Sequence, residues 1–214
     1  MNLHTLPYRR TLTALLLSVL AGAAQADEAA LYAPTAPPGS AFVRAFNADT
    51  ADIDVTVGNL SLNDIGAHDS SEFRFLPAGS YSASTGTKAL PVKLDSNQYY
   101  TLVQMPGGQL QLREEPPFAG KQKALLRLQN LSDSPLTLKT ADGKTDVITQ
   151  VAGKASGERE INPLKVRLAL FAGDNKVSDL APLVLERGEL VCLYVTGSGS
   201  NLVSTWVKSP QLDN

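Results

Sequence analysis

The sequence predicts an all-β protein, two similar β-sandwich-like domains in tandem behind a cleaved signal peptide. Three observations predict it. Apolar residues alternate with polar ones at period 2 from Ala41 onward, and turn residues recur every ~8 to 12 positions. No window shows a 3.6-residue apolar period, so helices have no foothold. The chain also says nearly the same thing twice on either side of Glu114-Glu115-Pro116-Pro117-Phe118-Ala119-Gly120-Lys121.

Residues 1–26 read as an export signal. Arg9 and Arg10 form a positive start, Leu12 to Leu20 is an apolar run too short to span a bilayer, and Ala24-Gln25-Ala26 is a small-x-small site that places cleavage between Ala26 and Asp27. No cysteine follows that site, so neither a lipid anchor nor a membrane span is expected. Residues 27–40 carry Pro34, Pro37, Pro38 and Gly39 and read as an extended lead-in; Leu31 and Tyr32 are its only sizeable apolar groups.

Residues 41–113 form the first predicted domain. Ile53, Val55 and Val57 alternate with Asp52, Asp54 and Thr56, and Leu60 and Leu62 continue after Gly58. Phe73 and Phe75 alternate with Glu72 and Arg74, and Pro77-Ala78-Gly79 turns the chain. Tyr81 and Ala83, then Leu90, Val92 and Leu94, Tyr100 and Leu102, and Leu110 and Leu112 read as further strands.

Two adjacent prolines fit neither a ladder nor a helix interior, so residues 114–121 read as a semi-rigid linker, with Glu114 and Glu115 as its solvated charges. Residues 122–214 repeat the plan. Leu126 and Leu128, Leu136 and Leu138, and Val147, Thr149 and Val151 alternate as before, with a hairpin turn at Ala141-Asp142-Gly143-Lys144. Leu164, Val166, Leu168 and Leu170 read as one long strand, followed by strands at Leu183 and Leu185 and at Leu190 to Thr196. Gly197-Ser198-Gly199-Ser200 is expected to be a flexible loop before a last strand carrying Trp206.

The repeat has a register. Asn47 and Asn130 lie 83 positions apart, each followed at six and eight positions by an apolar pair, Ile53 and Val55 or Leu136 and Leu138. Leu94 to Val103 aligns without gaps to Leu185 to Tyr194, 91 positions on. Duplication into two units of roughly 85 to 95 residues follows.

The bulk numbers exclude several functions. Without Arg9 and Arg10, 17 Lys and Arg face 21 Asp and Glu, a net charge of −4 that argues against nucleic acid and against an anionic membrane surface. A single cysteine, Cys192, allows no intrachain disulfide and, sitting in an apolar run, reads as a buried inert thiol.

Chemistry is equally sparse. Beyond the signal there is one histidine, His68, in His68-Asp69-Ser70; adjacent residues point apart, whereas a triad is assembled from separate segments. No Gly-x-Ser-x-Gly elbow, phosphate loop or dinucleotide fingerprint occurs. Asp49, Asp52 and Asp54 are the densest carboxylates but lack the spacing of a calcium loop. No catalytic, metal or cofactor-binding residue is expected.

Five blocks carry a family likeness: Asp27-Glu28-Ala29-Ala30-Leu31-Tyr32-Ala33-Pro34 after the signal, Glu114-Glu115-Pro116-Pro117-Phe118, Leu138 to Val147, Gly157-Glu158-Arg159-Glu160-Ile161-Asn162-Pro163, and Val191 to Gly199. They resemble the AlgF family, the periplasmic component of the alginate O-acetylation machinery. The resemblance implies a non-catalytic periplasmic adaptor for adding acetyl groups at O-2 and O-3 of mannuronate. The partners it implies are the periplasmic alginate acetyltransferase proteins and the inner-membrane acetylation complex. Leu31, Tyr32, Phe118 and Trp206 are the candidate contact residues. Two alternatives stay open: a carbohydrate-binding module that presents alginate through Tyr81, Tyr99, Tyr100 and Trp206, and a cryptic acetyl carrier or transferase using Ser198 or Ser200 with His68.

Overall fold

The computed structural model describes residues 36–199 and 201–209, and within them every regular element is a β-strand. The cleavage site Ala26–Asp27 and the lead-in residues Leu31 and Tyr32 lie outside the described residues. Strands β1 (Ser40–Asn47), β2 (Ile53–Val57), β3 (Leu60–Ile65), β4 (Arg74–Pro77), β5 (Gly79–Thr85), β6 (Lys88–Leu94), β7 (Tyr99–Met105) and β8 (Gln109–Glu114) build two four-stranded sheets. Their orders are β4-β1-β7-β8 and β3-β2-β5-β6, with β1 and β7 parallel and their other pairings antiparallel. Alternating residues of both sheets, among them Val43, Ala45, Val55, Val57, Val92 and Leu102, meet in one apolar core.

The second half reproduces this strand by strand. It comprises β9 (Ala124–Asn130), β10 (Leu136–Thr140), β11 (Asp146–Val151), β12 (Ser156–Ile161), β13 (Leu164–Val166), β14 (Leu168–Ala172), β15 (Asn175–Asp179), β16 (Leu183–Leu185), β17 (Leu190–Ser198) and β18 (Asn201–Ser209). The orders are β12-β9-β17-β18 and β11-β10-β14-β15, and again the central pair, β9 and β17, is parallel. Arg44 sits opposite Thr101 as Arg127 sits opposite Cys192, which carries both sequence offsets into one register.

The two asparagines explain why the repeat holds its shape. The buried Asn47 amide nitrogen donates to the carbonyls of Ala51, Ile65 and Gly66 at 2.7, 3.1 and 3.0 Å. Asn130 donates to Ser134, Val151 and Ala152 at 2.8, 2.9 and 3.1 Å. Each ties the end of a strand to the next bend and to the far end of the following hairpin, satisfying carbonyls that irregular backbone would leave orphaned. The rare left-handed backbone is copied too. Asp64 and His68 have φ of 56° and 56°, and Gln150 and Lys154, each 86 positions on, have 45° and 63°.

Two expectations are corrected. The single strand predicted over Leu164 to Leu170 is broken at the exposed Arg167: β13 pairs with β16, while β14 pairs with β10 and β15. The cause is on the partner strand. Leu180-Ala181-Pro182 intervenes between β15 and β16, and Pro182 has no N–H to give a ladder. Leu180 N still donates to Leu168 O at 3.1 Å, and Ala141 N takes up Arg167 O at 3.0 Å. The flexible loop predicted at Gly197 to Ser200 is instead a tight hairpin, because β17 runs through Gly197 and Ser198, which pair with Leu202 and Asn201.

Candidate functional site

The feature that stands out is a seam between the halves. The sheets β4-β1-β7-β8 and β12-β9-β17-β18 each turn one face to their own core and the other toward their partner half. Period 2 therefore sorts each strand twice: in β17, Val191, Leu193 and Val195 fill the core, while Leu190, Cys192 and Tyr194 join a third cluster with Phe46, Val103, Leu125, Leu131 and Val207. Burial on both faces is why Leu190 to Val195 reads as an unbroken apolar run. The Phe46 and Tyr194 rings, from opposite halves, stack with centroids 4.1 Å apart.

Arg44 occupies the middle of this seam and is 1 % exposed. Every nitrogen of its guanidinium finds a partner. Nε donates to Thr101 Oγ1 at 3.0 Å, Nη1 to Ser209 Oγ at 2.7 Å, and Nη2 to Glu115 Oε2 at 2.6 Å and to Tyr194 OH at 3.1 Å. Its carbon lies 4.6 Å from the centroid of the Phe73 ring. Glu115 is also 1 % exposed; its second oxygen accepts from Tyr194 OH and, at 3.4 Å, from Gln129 Nε2. The ion pair is thus held by β1 and the end of β8 on one side and by β9, β17 and β18 on the other.

This corrects the reading of Glu114 and Glu115 as solvated linker charges. Glu114 ends β8 in register with Tyr100, and Glu115 N donates to Tyr99 O at 2.7 Å, which swings the next side chain inward. The linker contributes further: Pro116 O accepts from Arg127 Nη2 at 2.9 Å, and Arg127 Nε donates to Glu158 Oε2 at 2.9 Å. Arg113 crosses from the first half to Lys154 O at 2.9 Å.

Electrostatics follow from burial. Desolvation works against the Arg44 charge, but Tyr194, Glu115 and Cys192 more than offset it, so its pKa stands above the usual arginine value. Burial first and the Glu115 carboxylate second push the Cys192 thiol up to about 12. The same two causes hold Tyr194 well above an ordinary phenol. These groups keep fixed protonation states at neutral pH: a positive guanidinium, a neutral thiol and a neutral phenol. The arrangement binds two halves together rather than moving protons.

The residues singled out from sequence are dispersed. Phe118 is half-buried against the seam cluster. Trp206 packs on the second core and donates from Nε1 to Ala181 O at 3.3 Å, satisfying the break between β15 and β16. Of the stacking candidates, Tyr99 and Tyr100 are buried, Tyr99 stacked on Phe42 at 4.4 Å, while half-buried Tyr81 donates its hydroxyl to Pro77 O at 2.6 Å. His68 sits in a turn between β3 and β4 and Ser198 at the tip of β17; no hydrogen bond joins them among the described residues, and Ser200 lies outside them. Asp49 is bound to the backbone of Thr50 and Gly107, which lowers its pKa, and Asp54 accepts from Asp64 N.

Arg44, Glu115 and Tyr194 were not singled out from sequence. Arg44 did leave a trace, a charge inside an apolar strand at the position Arg127 repeats. Glu115, beside two prolines and another glutamate, left none.

Comparison with known proteins now identifies the lineage. The family described as alginate O-acetyl transferase AlgF matches residues 14–192. The chain belongs to the AlgF family. It is 63 % identical over 207 residues to the alginate biosynthesis protein AlgF of Pseudomonas aeruginosa, covering 97 % of this chain and 95 % of that one. The AlgF protein of Azotobacter vinelandii is 56 % identical over 185 residues, covering 86 % and 85 %. Two solved structures are similar. The C-terminal domain of AlgF from P. aeruginosa shares 67 % identity, 42 % of this chain, all of that chain and a TM-score of 0.39. Its N-terminal domain shares 54 % identity, 38 % of this chain, all of that chain and a TM-score of 0.34.

Proposed function

We propose that the chain is a non-catalytic periplasmic adaptor in alginate O-acetylation, exported by a signal cleaved after Ala26. In this reading each half is a β-sandwich, residues 41–113 and 122–214, and the pair holds acetyltransferase components of the pathway within reach of one another. Such an arrangement raises effective concentration and needs no chemistry of its own. The observation that carries the reading is the Arg44–Glu115–Tyr194 seam, which joins the halves through a buried, hydrogen-bonded ion pair. A chain that holds two partners at a set distance needs a fixed spacing between its own halves.

The test is retrieval of the pathway's periplasmic acetyltransferases by the tagged mature chain. Recovery by the native chain, with loss of polymer acetylation when the seam is broken, supports the adaptor. Recovery of none of them removes it. The carbohydrate-binding alternative is weakened by burial of Tyr99 and Tyr100 and by the backbone duties of Tyr81 and Trp206. The acyl-carrier alternative makes a separate claim: polymer acetylation falls when His68, Ser198 and Ser200 are all replaced by alanine.

A further inference from the structure

The duplication places an equivalent cleft in each half, at the mouth between the two sheets. In the first half the cleft is lined by Ser40, Asn59, Phe75, Leu76 and Pro77. In the second it is lined by Lys123, Thr145, Glu160, Ile161 and Asn162. The pairings show that these are the same positions: Ser40 and Phe42 lie opposite Pro77 and Phe75, as Ala124 and Leu125 lie opposite Ile161 and Glu160. Leu164 and Leu185 repeat the pairing of Gly79 and Leu94.

The copies have diverged in what covers them. The first is walled by the chain itself, through Pro37 and Pro38, and the Tyr81 ring leans across it from beside Gly58 and Gly79 to Pro77 O. No charged residue lines it. In the second, Val166 replaces the tyrosine and Leu164 the glycine, leaving a cleft of ≈ 420 Å³ over Val147, Ile161, Leu164, Val166 and Leu168. Leu164 is 41 % exposed there, among the few large apolar side chains so exposed. Two cations stand at its rim. Lys123 faces Glu160 at 3.7 Å; Arg159, which donates from Nη1 to the carbonyls of Asp146 and Val147, has no carboxylate partner among the described residues.

We infer that the cleft around Leu164 is a docking groove for an extended segment of a partner protein that carries an apolar side chain beside a carboxylate. The first copy shows what shape this cleft accepts: an extended, proline-bearing strip of chain, whose fixed φ keeps it extended without an ordering cost. The rim of the second copy sets the charge, since two cations against one carboxylate favour an acidic guest. The apolar floor takes the anchoring side chain, and Arg159, pinned through one nitrogen, presents the rest of its fork to the carboxylate. The inference rests on the adaptor reading for its partner, not for its geometry.

The experiment is an amide-resolved NMR titration of the mature chain with three synthetic twelve-residue peptides. One repeats Glu-Pro-Leu, one Lys-Pro-Leu and one Glu-Pro-Ser. The expected result is saturable shifts at Lys123, Thr145, Ile161 and Leu164 with the first peptide, and at least tenfold weaker binding of the other two. Leu164→Glu and Arg159→Glu each weaken the first peptide at least tenfold; Val203→Glu, at a site equally exposed at 41 %, does not. No saturable shift up to millimolar peptide, equal binding of the basic peptide, or shifts centred on Phe75 and Leu76 overturns the inference. Retrieval of the acetyltransferases separates the two readings. If the native chain and Leu164→Glu recover them equally, the adaptor stands and the groove falls. If neither does, the adaptor falls and the titration judges the groove alone.

Discussion

Replacing Glu115 by glutamine probes the seam with the least change of shape. The substitution keeps the volume and one acceptor oxygen but removes the charge facing Arg44, whose side chain and that of Glu115 are 2 % and 0 % exposed. Solvent screening is therefore no refuge for the remaining guanidinium. Breaking a buried pair from one side costs about 3–5 kcal/mol. The lower end is expected, because Thr101 and Ser209 still accept from Arg44. A loss of about 3 kcal/mol in a chain of this length corresponds to a Tm lower by roughly 6–12 °C. Guanidinium unfolding measures it with two probes. Fluorescence of Trp206, the only tryptophan, reports the second half, and far-UV circular dichroism reports both. In the native chain the two curves should coincide; in Glu115→Gln they should separate, since the seam couples the halves. The double variant Arg44→Met with Glu115→Leu should recover most of the loss, as apolar replacement of both partners removes the stranded charge. A loss below about 1 kcal/mol in Glu115→Gln, or a double variant as unstable as the two single losses combined, would refute the reasoning.

Other outcomes can be checked in parallel. Asn47→Ala and Asn130→Ala should each cost roughly 2–4 kcal/mol in chemical denaturation, because each strands up to three carbonyls; a large difference between them would argue against equivalent roles. Trp206→Phe should lose about 1 kcal/mol, the worth of its bond to Ala181 O. Cys192, whose pKa rises from 9.0 unfolded to about 12 folded, contributes stability that is complete below pH 9. That contribution is lost progressively as pH rises toward 12, because the unfolded thiol ionises first, with a slope near 1.4 kcal/mol per pH unit that Cys192→Ala should flatten. A thiol reagent at pH 8 should label Cys192 only at the rate of unfolding.

How far the sequence could be read depended on whether a residue's role was periodic or relational. The strands of both cores announce themselves, since Ile53, Val55 and Val57 or Leu136 and Leu138 alternate with polar neighbours over a solvated face. Asn47 and Asn130 were visible as a repeat offset, though not as the clasps they prove to be. The break at Arg167 was hidden because its cause, Leu180-Ala181-Pro182, lies on the partner strand. Glu115 was hidden for a deeper reason. Its environment is built by Tyr194, Gln129 and Ser209 of the other half, and no local pattern distinguishes a carboxylate waiting for distant partners from one facing water.

The seam also changes what the two prolines are for. If Pro116-Pro117 set the spacing of the halves, lengthening and softening the linker would free them; if the seam sets it, the linker only has to reach. The contacts favour the seam, since Pro116 contributes a carbonyl to Arg127 that any residue carries, and Pro117 is exposed. Replacing Pro116 and Pro117 by Gly-Ser should then cost at most about 1–2 kcal/mol, through the entropy of the unfolded chain. ¹⁵N relaxation should show both halves tumbling with one correlation time, and acetylation in cells should persist. Glu115→Gln, with both prolines intact, should give the opposite pattern. Two separate correlation times in the Gly-Ser variant would return the spacing to the linker and leave the buried ion pair a consequence of proximity rather than its cause.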